Sequence, residues 1–361
     1  MKKFWEKTSL FLVTAAMTVS APLMAWALEH DIVILHTNDI HCGINDNIGF
    51  DGLAQIKRDA LARTPNVALV DAGDAIQGAP IGKLSRGLAV VSIMNYLGYD
   101  FCIPGNHEFD YGMDRFMELA PLQRAGYYCA NFVYAGNNKQ VLPGYKIMQY
   151  EDTKVAFVGA STPESLTTST PTFFQNEKGQ YIYSFCEDKS GSKLYKQLQK
   201  NVDKARKEGA DYVFIVGHLG MDGTTPQWSS ESVAKNTQGV DAVIDGHSHE
   251  RFTRMVKNKV GKDVLLAQTG TKLKTVGELV ITPDGKLKSQ LLTKSNGKDA
   301  TISRVIAQEI KTYEPLLKQP VGEALVQLRS NPRPVSASCV TVNAAWATLL
   351  PMLIEQCWIA T

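Results

Sequence analysis

Short apolar runs alternate along this chain with longer stretches whose apolar residues repeat at helical spacing, and no other feature restricts the fold as strongly. Runs at 32–35, 67–70, 101–103, 127–132, 155–158, 212–216, 242–244 and 264–267 are short and apolar. They predict buried strands. Between them, Leu53, Ile56, Ala60 and Leu61 make one helical stripe, and Val91, Ile93, Met94 and Leu97 fall on a second helix. Helices are also expected at 113–124 and, rich in lysine, at 193–208. Pro283-Asp284-Gly285 reads as the turn of a closing hairpin between 277–281 and 287–292. A last helix carries Ile302, Val305, Ile306, Ile310 and Tyr313 and stops before Pro320. Such alternation means helices layered on largely parallel sheet, so the fold class is α/β.

The 361 residues suffice for one large domain or two modest ones. A hydrophobic share of 44% and a charged share of 20% exclude a disordered chain. Lys2, Lys3 and Lys7 make a basic start, residues 9–19 form a short apolar run, and Ala25-Trp26-Ala27 offers small residues before Leu28. This reads as a signal peptide over 1–27 and places the mature protein outside the cytoplasm, periplasmic or extracellular. A membrane anchor is the alternative, against which stand the shortness of the run and its interruption by Thr, Ser and Pro22. Those three lysines and Glu6 account for the whole net charge of +2, which leaves a near-neutral body. Such a body has no general electrostatic attraction to nucleic acid polymers or anionic membranes. The cysteines, at 42, 102, 129, 186, 339 and 357, form no Cys-x-x-Cys pair, which argues against a thiolate metal site. Export permits a disulfide, with Cys102 and Cys129 the pair to watch; buried free thiols are the equal alternative.

The unusual polar residues fall just past the apolar runs. Asp39 and His41 follow the first, Asp74 the second, and Asn106 and His107 the third; His218 follows 212–216, and His247 and His249 follow 242–244. Ligands of α/β sheets gather outside the carboxyl ends of strands, so five strand ends converge on one crevice. Residues two apart on extended chain project to one side, so Asp39/His41 and His247/His249 are each expected to present paired ligands. Glycines at 73, 105 and 246 free the backbone to turn tightly there. Two carboxylates, one amide oxygen and four imidazoles suit Zn, Mn, Fe or Co rather than Ca.

In order, Asp39-x-His41, Gly73-Asp74, Gly105-Asn106-His107-Glu108, His218 and Gly246-His247-Ser248-His249 resemble the signature of the calcineurin-like metallophosphoesterases. The stretch from Asn106 to Gly112, with Gly217-His218-Leu219-Gly220, resembles the exported branch of 5'-nucleotidases, UDP-sugar hydrolases and 2',3'-cyclic phosphodiesterases. The resemblance runs from about Asp31 to Gly322. It implies a four-layer α/β/β/α sandwich holding two divalent metal ions, with a nucleotide or other small phosphate ester as substrate. One ion would be held by Asp39, His41, Asp74 and His249, the other by Asp74, Asn106, His218 and His247, with Asp74 bridging. Ions about 4 Å apart lower the pKa of a bridging water, supply a hydroxide and neutralise phosphate oxygens. His107, which is not a ligand, would join Asn106 at the substrate phosphate and protonate the departing oxygen. Asp110, three residues on, would orient the His107 ring, cap a helix, or do both.

The same resemblance divides the chain into a catalytic domain at 28–298, a linker helix at 299–320 and a shortened second domain from 321. Nucleotidases of this branch carry a C-terminal domain that stacks the base between aromatic rings, and about forty residues are too few for it. Residues 321–328 read as its first strand. Beyond Leu328 the composition changes, with Cys339, Trp346, Cys357 and Trp358. In a shifted reading frame the Trp346-Ala347 junction must encode Gly, and its neighbours permit the Leu-Gly-Asn motif that opens the family's second domain. The expectation is a tail translated out of frame and a product impaired on nucleotides. Two competing readings are an inactive metal-binding remnant and a relative of the thiosulfohydrolases that share the scaffold.

Overall fold

The computed structural model describes residues 28–221 and 225–318. The expected leader, the strand expected at 321–328 and the rest of the tail lie outside these residues. β1 (Ile32–Thr37), α1 (Gly49–Leu61), β2 (Val67–Asp71), α2 (Pro80–Ser85), α3 (Leu88–Leu97) and β3 (Phe101–Cys102) come first. They are followed by α4 (Met113–Leu119), β4 (Val133–Tyr134), β5 (Tyr145–Tyr150), β6 (Thr153–Ser161), α5 (Ser165–Thr168) and β7 (Tyr183–Ser184). Next come α6 (Ser192–Lys207), β8 (Tyr212–His218), α7 (Ser230–Asn236), β9 (Ala242–Ile244), β10 (Arg251–Lys257) and β11 (Asp263–Thr269). The hairpin β12 (Val276–Ile281) and β13 (Leu287–Leu292) and the helix α8 (Ala300–Leu317) follow.

One sheet has the order β13-β12-β1-β2-β3, the other β10-β11-β9-β8-β6-β5. β1, β2 and β3 run parallel, as do β6, β8, β9 and β11, while β12, β13, β5 and β10 pair antiparallel at the margins. Strand alternation generates the layers. Ile32 and Ile34 of β1 meet Val155 and Phe157 of β6 and Phe214 and Val216 of β8 in the seam between the sheets. The intervening Val33 and Leu35 pack with Leu53 and Ile56 of α1 and with Val90 and Ile93 of α3. On the other outer face, Ala156, Val158, Val213 and Ile215 pack with Leu194, Leu198 and Val202 of α6 and Val233 of α7. The result is the expected four-layer α/β/β/α sandwich, with three cores. The helix read as a linker, α8, buries Ile302 and Ile306 and packs against α1 and α3.

Several expectations need correction. Residues 127–132 are not a strand, because their backbone changes partners along the way. Tyr128 N–H bonds to Cys102 O in the first sheet, whereas Cys129 N–H bonds to Pro143 O and Ala130 N–H to Gly159 O on the side of the second. This segment therefore carries the chain from one sheet to the other. The helix expected at 113–124 stops at Leu119, and Pro121 lies in a tighter turn over Ala120–Leu122. Of the two alternatives open for Cys102 and Cys129, the structure has the free buried thiols, and burial pushes both pKa values up. Among the described residues no helix is long and apolar enough to cross a membrane.

Candidate metal centre

The loops after β1, β2 and β9, together with the last residue of β8, bring six of the seven expected ligands together; Asn106, after β3, directly precedes His107, whose N–H donates to Asp74 Oδ1 at 2.8 Å. Asp39, His41 and His249 each place a donor atom within 4.8 Å of the others, as do Asp74, His218 and His247. Asp74 lies between the two groups: its Oδ2 is 3.0 Å from His218 Nε2 and 3.9 Å from His41 Nε2. Asp39 Oδ1 is 3.3 Å from His249 Nε2 and 3.8 Å from His41 Nε2.

The pairs do not project from extended chain, contrary to the sequence expectation. Asp39, His41, Asp74, His247 and His249 have φ of 51°, 47°, 58°, 82° and 56°, in the left-handed region. Asp and His visit it more readily than most residues, at a cost of roughly 1–3 kcal/mol each. The loops hold this geometry through one another: Asp39 N–H bonds to Gly73 O and His41 N–H to Asp74 O, both at 2.9 Å. The two imidazoles of the last pair therefore diverge, His247 joining Asp74 and His249 joining Asp39. Close approach also requires the glycines. A Cβ on Gly73 would lie 2.6 Å from Gly105 N, and one on Gly105 would collide with Asp74 Oδ1.

Hydrogen bonds fix which ring nitrogens face inward. His218 Nδ1 lies 2.8 Å from Ala72 O and His41 Nδ1 3.2 Å from Gln77 O. A carbonyl only accepts, so both Nδ1 atoms carry hydrogen and both Nε2 atoms point at the carboxylates. His41 Nε2 then faces His249 Nε2 at 3.1 Å. Asp39 Oδ1 and Asn106 Oδ1 are buried with no hydrogen-bond partner. A buried, unbonded carboxylate oxygen beside inward-facing imidazole nitrogens fits a divalent cation. Burial works against a charged His218, but Asp74 and Asp39 outweigh it and push its pKa up to about 10. Burial likewise opposes ionisation of Asp74, yet the charge and hydrogen bond of His218 bring it well below the carboxylate range.

His107 and Asp110 sit beside this cluster. His107 Nδ1–H donates to Asp110 Oδ2 at 2.6 Å, Ser169 Oγ–H donates to Asp110 Oδ1 at 3.0 Å, and the His107 ring centroid lies 5.4 Å from that of His41. Burial disfavours the charged ring, but the Asp110 hydrogen bond and the charges of Asp74 and Asp110 prevail and push the His107 pKa up to about 9. Asp110 closes a short 3-10 turn, and Gly112 is the N-cap of α4, so Asp110 does not cap that helix.

Some supports went unassigned in the sequence. Glu108 Oε2 accepts from Asp74 N–H at 2.8 Å and Gly105 N–H at 2.6 Å, while Oε1 accepts from Ala75 N–H at 2.8 Å and Ile76 N–H at 3.3 Å. One buried carboxylate thereby ties the Asp74 loop to the Asn106 loop. Its place inside Gly105-Asn106-His107-Glu108 was the available signal. Asn38 Nδ2 donates to Asp39 Oδ2 at 2.6 Å, and Asp245 Oδ1 accepts from Leu219 N–H at 2.9 Å.

Residues 32–251 match the family described as calcineurin-like phosphoesterase. That stretch is more than half of the chain, which belongs to this family. The chain is 27% identical over 360 residues to the snake venom 5'-nucleotidase of Gloydius brevicauda, covering 88% of this chain and 58% of that protein. It thus spans a little under six tenths of that relative's length. Among solved structures, a 5'-nucleotidase precursor from Thermus thermophilus superposes with a TM-score of 0.68 at 24% identity, covering 81% of this chain and 61% of that one. The calcineurin-like phosphoesterase YfkN of Bacillus subtilis superposes with a TM-score of 0.66 at 22% identity, covering 80% of this chain and 99% of that one. These two likenesses establish the shared fold.

Proposed function

We propose that this chain is an exported phosphoesterase that uses two divalent metal ions to hydrolyse nucleotides or related small phosphate esters. The observation that carries the reading is the pair of donor groups, one containing Asp39 and the other Asp74, with Asp39 Oδ1 buried and without a hydrogen bond among them. Asp39, His41, Asp74 and His249 would hold one ion; Asp74, Asn106, His218 and His247 would hold the other. When bound, the pair supplies Lewis-acid chemistry, polarising the phosphoryl group and making water acidic enough to react at neutral pH. The remaining work falls to side chains. Asp110 takes up the His107 Nδ1–H and fixes the ring, so that a protonated His107 has its Nε2–H to donate to the oxygen that leaves phosphorus. Asn106 stands next to His107 and would help to seat the phosphate.

Nucleotide substrates are supported by the likeness to a snake venom 5'-nucleotidase. Export is supported by the basic start and the short apolar run of residues 1–27. In this reading the catalytic domain spans 28–298, and 299–320 is the helix leading toward a second domain. Asp74→Asn tests the proposal, since one carboxylate is asked to serve both ions. The variant should lose metal and essentially all phosphatase activity; near-wild-type turnover in metal-replete buffer would sink the two-ion reading.

A further inference from the structure

A sixth strand end also reaches the site. β6 stops at Ser161, which pairs with His218 of β8, and the chain turns through Thr162 and Pro163 to place Glu164 beside His247. Glu164 is buried, at 6% exposure, so its carboxylate does not merely face solvent. Its Oε2 lies 3.2 Å from His247 Nε2, and its Oε1 accepts from Thr225 N–H at 2.9 Å. The loops after β6, β8 and β9 therefore meet at this one side chain.

The ring of His247 is held from two sides. Its Cδ2, next to Nε2, lies 3.1 Å from where a Cβ of Gly220 would stand, and Gly220 has φ of +73°, so a side chain there would be strained and would crowd the ring. The edge carrying Cδ2 and Nε2 is thus occupied by Gly220 and Glu164. A nitrogen of His247 lies within 4.8 Å of donor atoms of Asp74 and His218, whose ring centroid is 5.0 Å from that of His247; with Nε2 taken by Glu164, the nitrogen left for them is Nδ1. An ionised carboxylate only accepts, so an Nε2 bonded to it keeps its hydrogen and leaves the Nδ1 lone pair free. His41 and His218 are held the other way round, with Nδ1 bonded to carbonyls and Nε2 facing the donor groups.

We infer that Glu164 is a positioning residue for His247: it locks the Nε2–H tautomer and directs Nδ1 at the ion shared with Asp74 and His218. The inference rests on the proposed metal centre. Outer partners of this kind typically set metal affinity by about 10- to 100-fold.

The test uses the full chain stripped of metal. Calorimetric titration with Mn²⁺ should give two sites in the wild type. In Glu164→Ala one of the two sites, the one His247 would serve, should lose about 10- to 100-fold in affinity, while Glu164→Gln, which keeps an acceptor oxygen, should stay near wild type. Unchanged affinity in Glu164→Ala overturns the inference. So does an equal loss in both variants, which would make Glu164 a direct ligand. A wild type that binds no Mn²⁺ defeats the metal centre itself and this inference with it. Long-range ¹⁵N–¹H spectra of the wild type loaded with Zn²⁺ give a second reading that needs no variant. They should show His247 protonated on Nε2; a proton on Nδ1 overturns the assignment.

Discussion

In the proposed reaction, a protonated His107 whose Nδ1–H is taken up by Asp110 Oδ2 at 2.6 Å would have its Nε2–H for a departing oxygen. Because its pKa of about 9 exceeds the ordinary 6.5, this ring stabilises the metal-free fold fully below pH 6.5. That contribution is lost as pH rises through about 9. Asp110→Asn removes the anion that sustains the shift. The His107 midpoint, followed by NMR in metal-stripped protein, should fall toward its ordinary value; an unmoved midpoint would mean that Asp110 is not the cause. His107→Ala should retain both ions but slow AMP hydrolysis by roughly 10²-fold or more. The loss should be smaller for p-nitrophenyl phosphate, whose leaving group needs less help. Equal losses on the two substrates would remove His107 from the protonation step.

At the scale of elements, the ligands are set by loops tied to one another, and Glu108 is the chief tie. In Glu108→Gln, an amide NH₂ would confront two of the four N–H groups that the carboxylate now satisfies. Each buried N–H left unpaired costs about 1–3 kcal/mol, so the denaturation midpoint should fall clearly and metal affinity with it. A variant as stable as wild type would contradict this account of the loop. The same scale explains what sequence could convey. Strands of the seam were legible because burial on both faces makes them uniformly apolar, as in β6 and β8. β10 and β5 went unseen because they are margin strands left largely or partly exposed, without that apolar run. The segment 127–132 is as apolar as a strand because it is buried, but it crosses between sheets instead of pairing along one. The candidate ligands were legible as residue types at strand ends. Their left-handed φ was not, because strand periodicity says nothing about the loop that follows. Glu164 escaped notice because an acid after Thr-Pro reads as a turn until the fold brings it to His247.

For the molecule as a whole, two sheets packed face to face let loops from both meet in a single crevice. The first sheet contributes Asp39, His41, Asp74 and Asn106; the second contributes His218, His247 and His249. Neither sheet alone holds the whole set of candidate ligands, so in the proposed reaction catalysis should depend on the seam staying closed as well as on those residues. The central claim is that these residues hold two ions and that both are needed to cleave phosphate esters. The most direct measurement is stepwise titration of the metal-stripped chain with Mn²⁺ while p-nitrophenyl phosphate hydrolysis is followed. The account predicts negligible activity in the stripped protein and a rise that is complete only when the second equivalent has bound. Full activity in the stripped protein, or full activity reached at one equivalent, would contradict it.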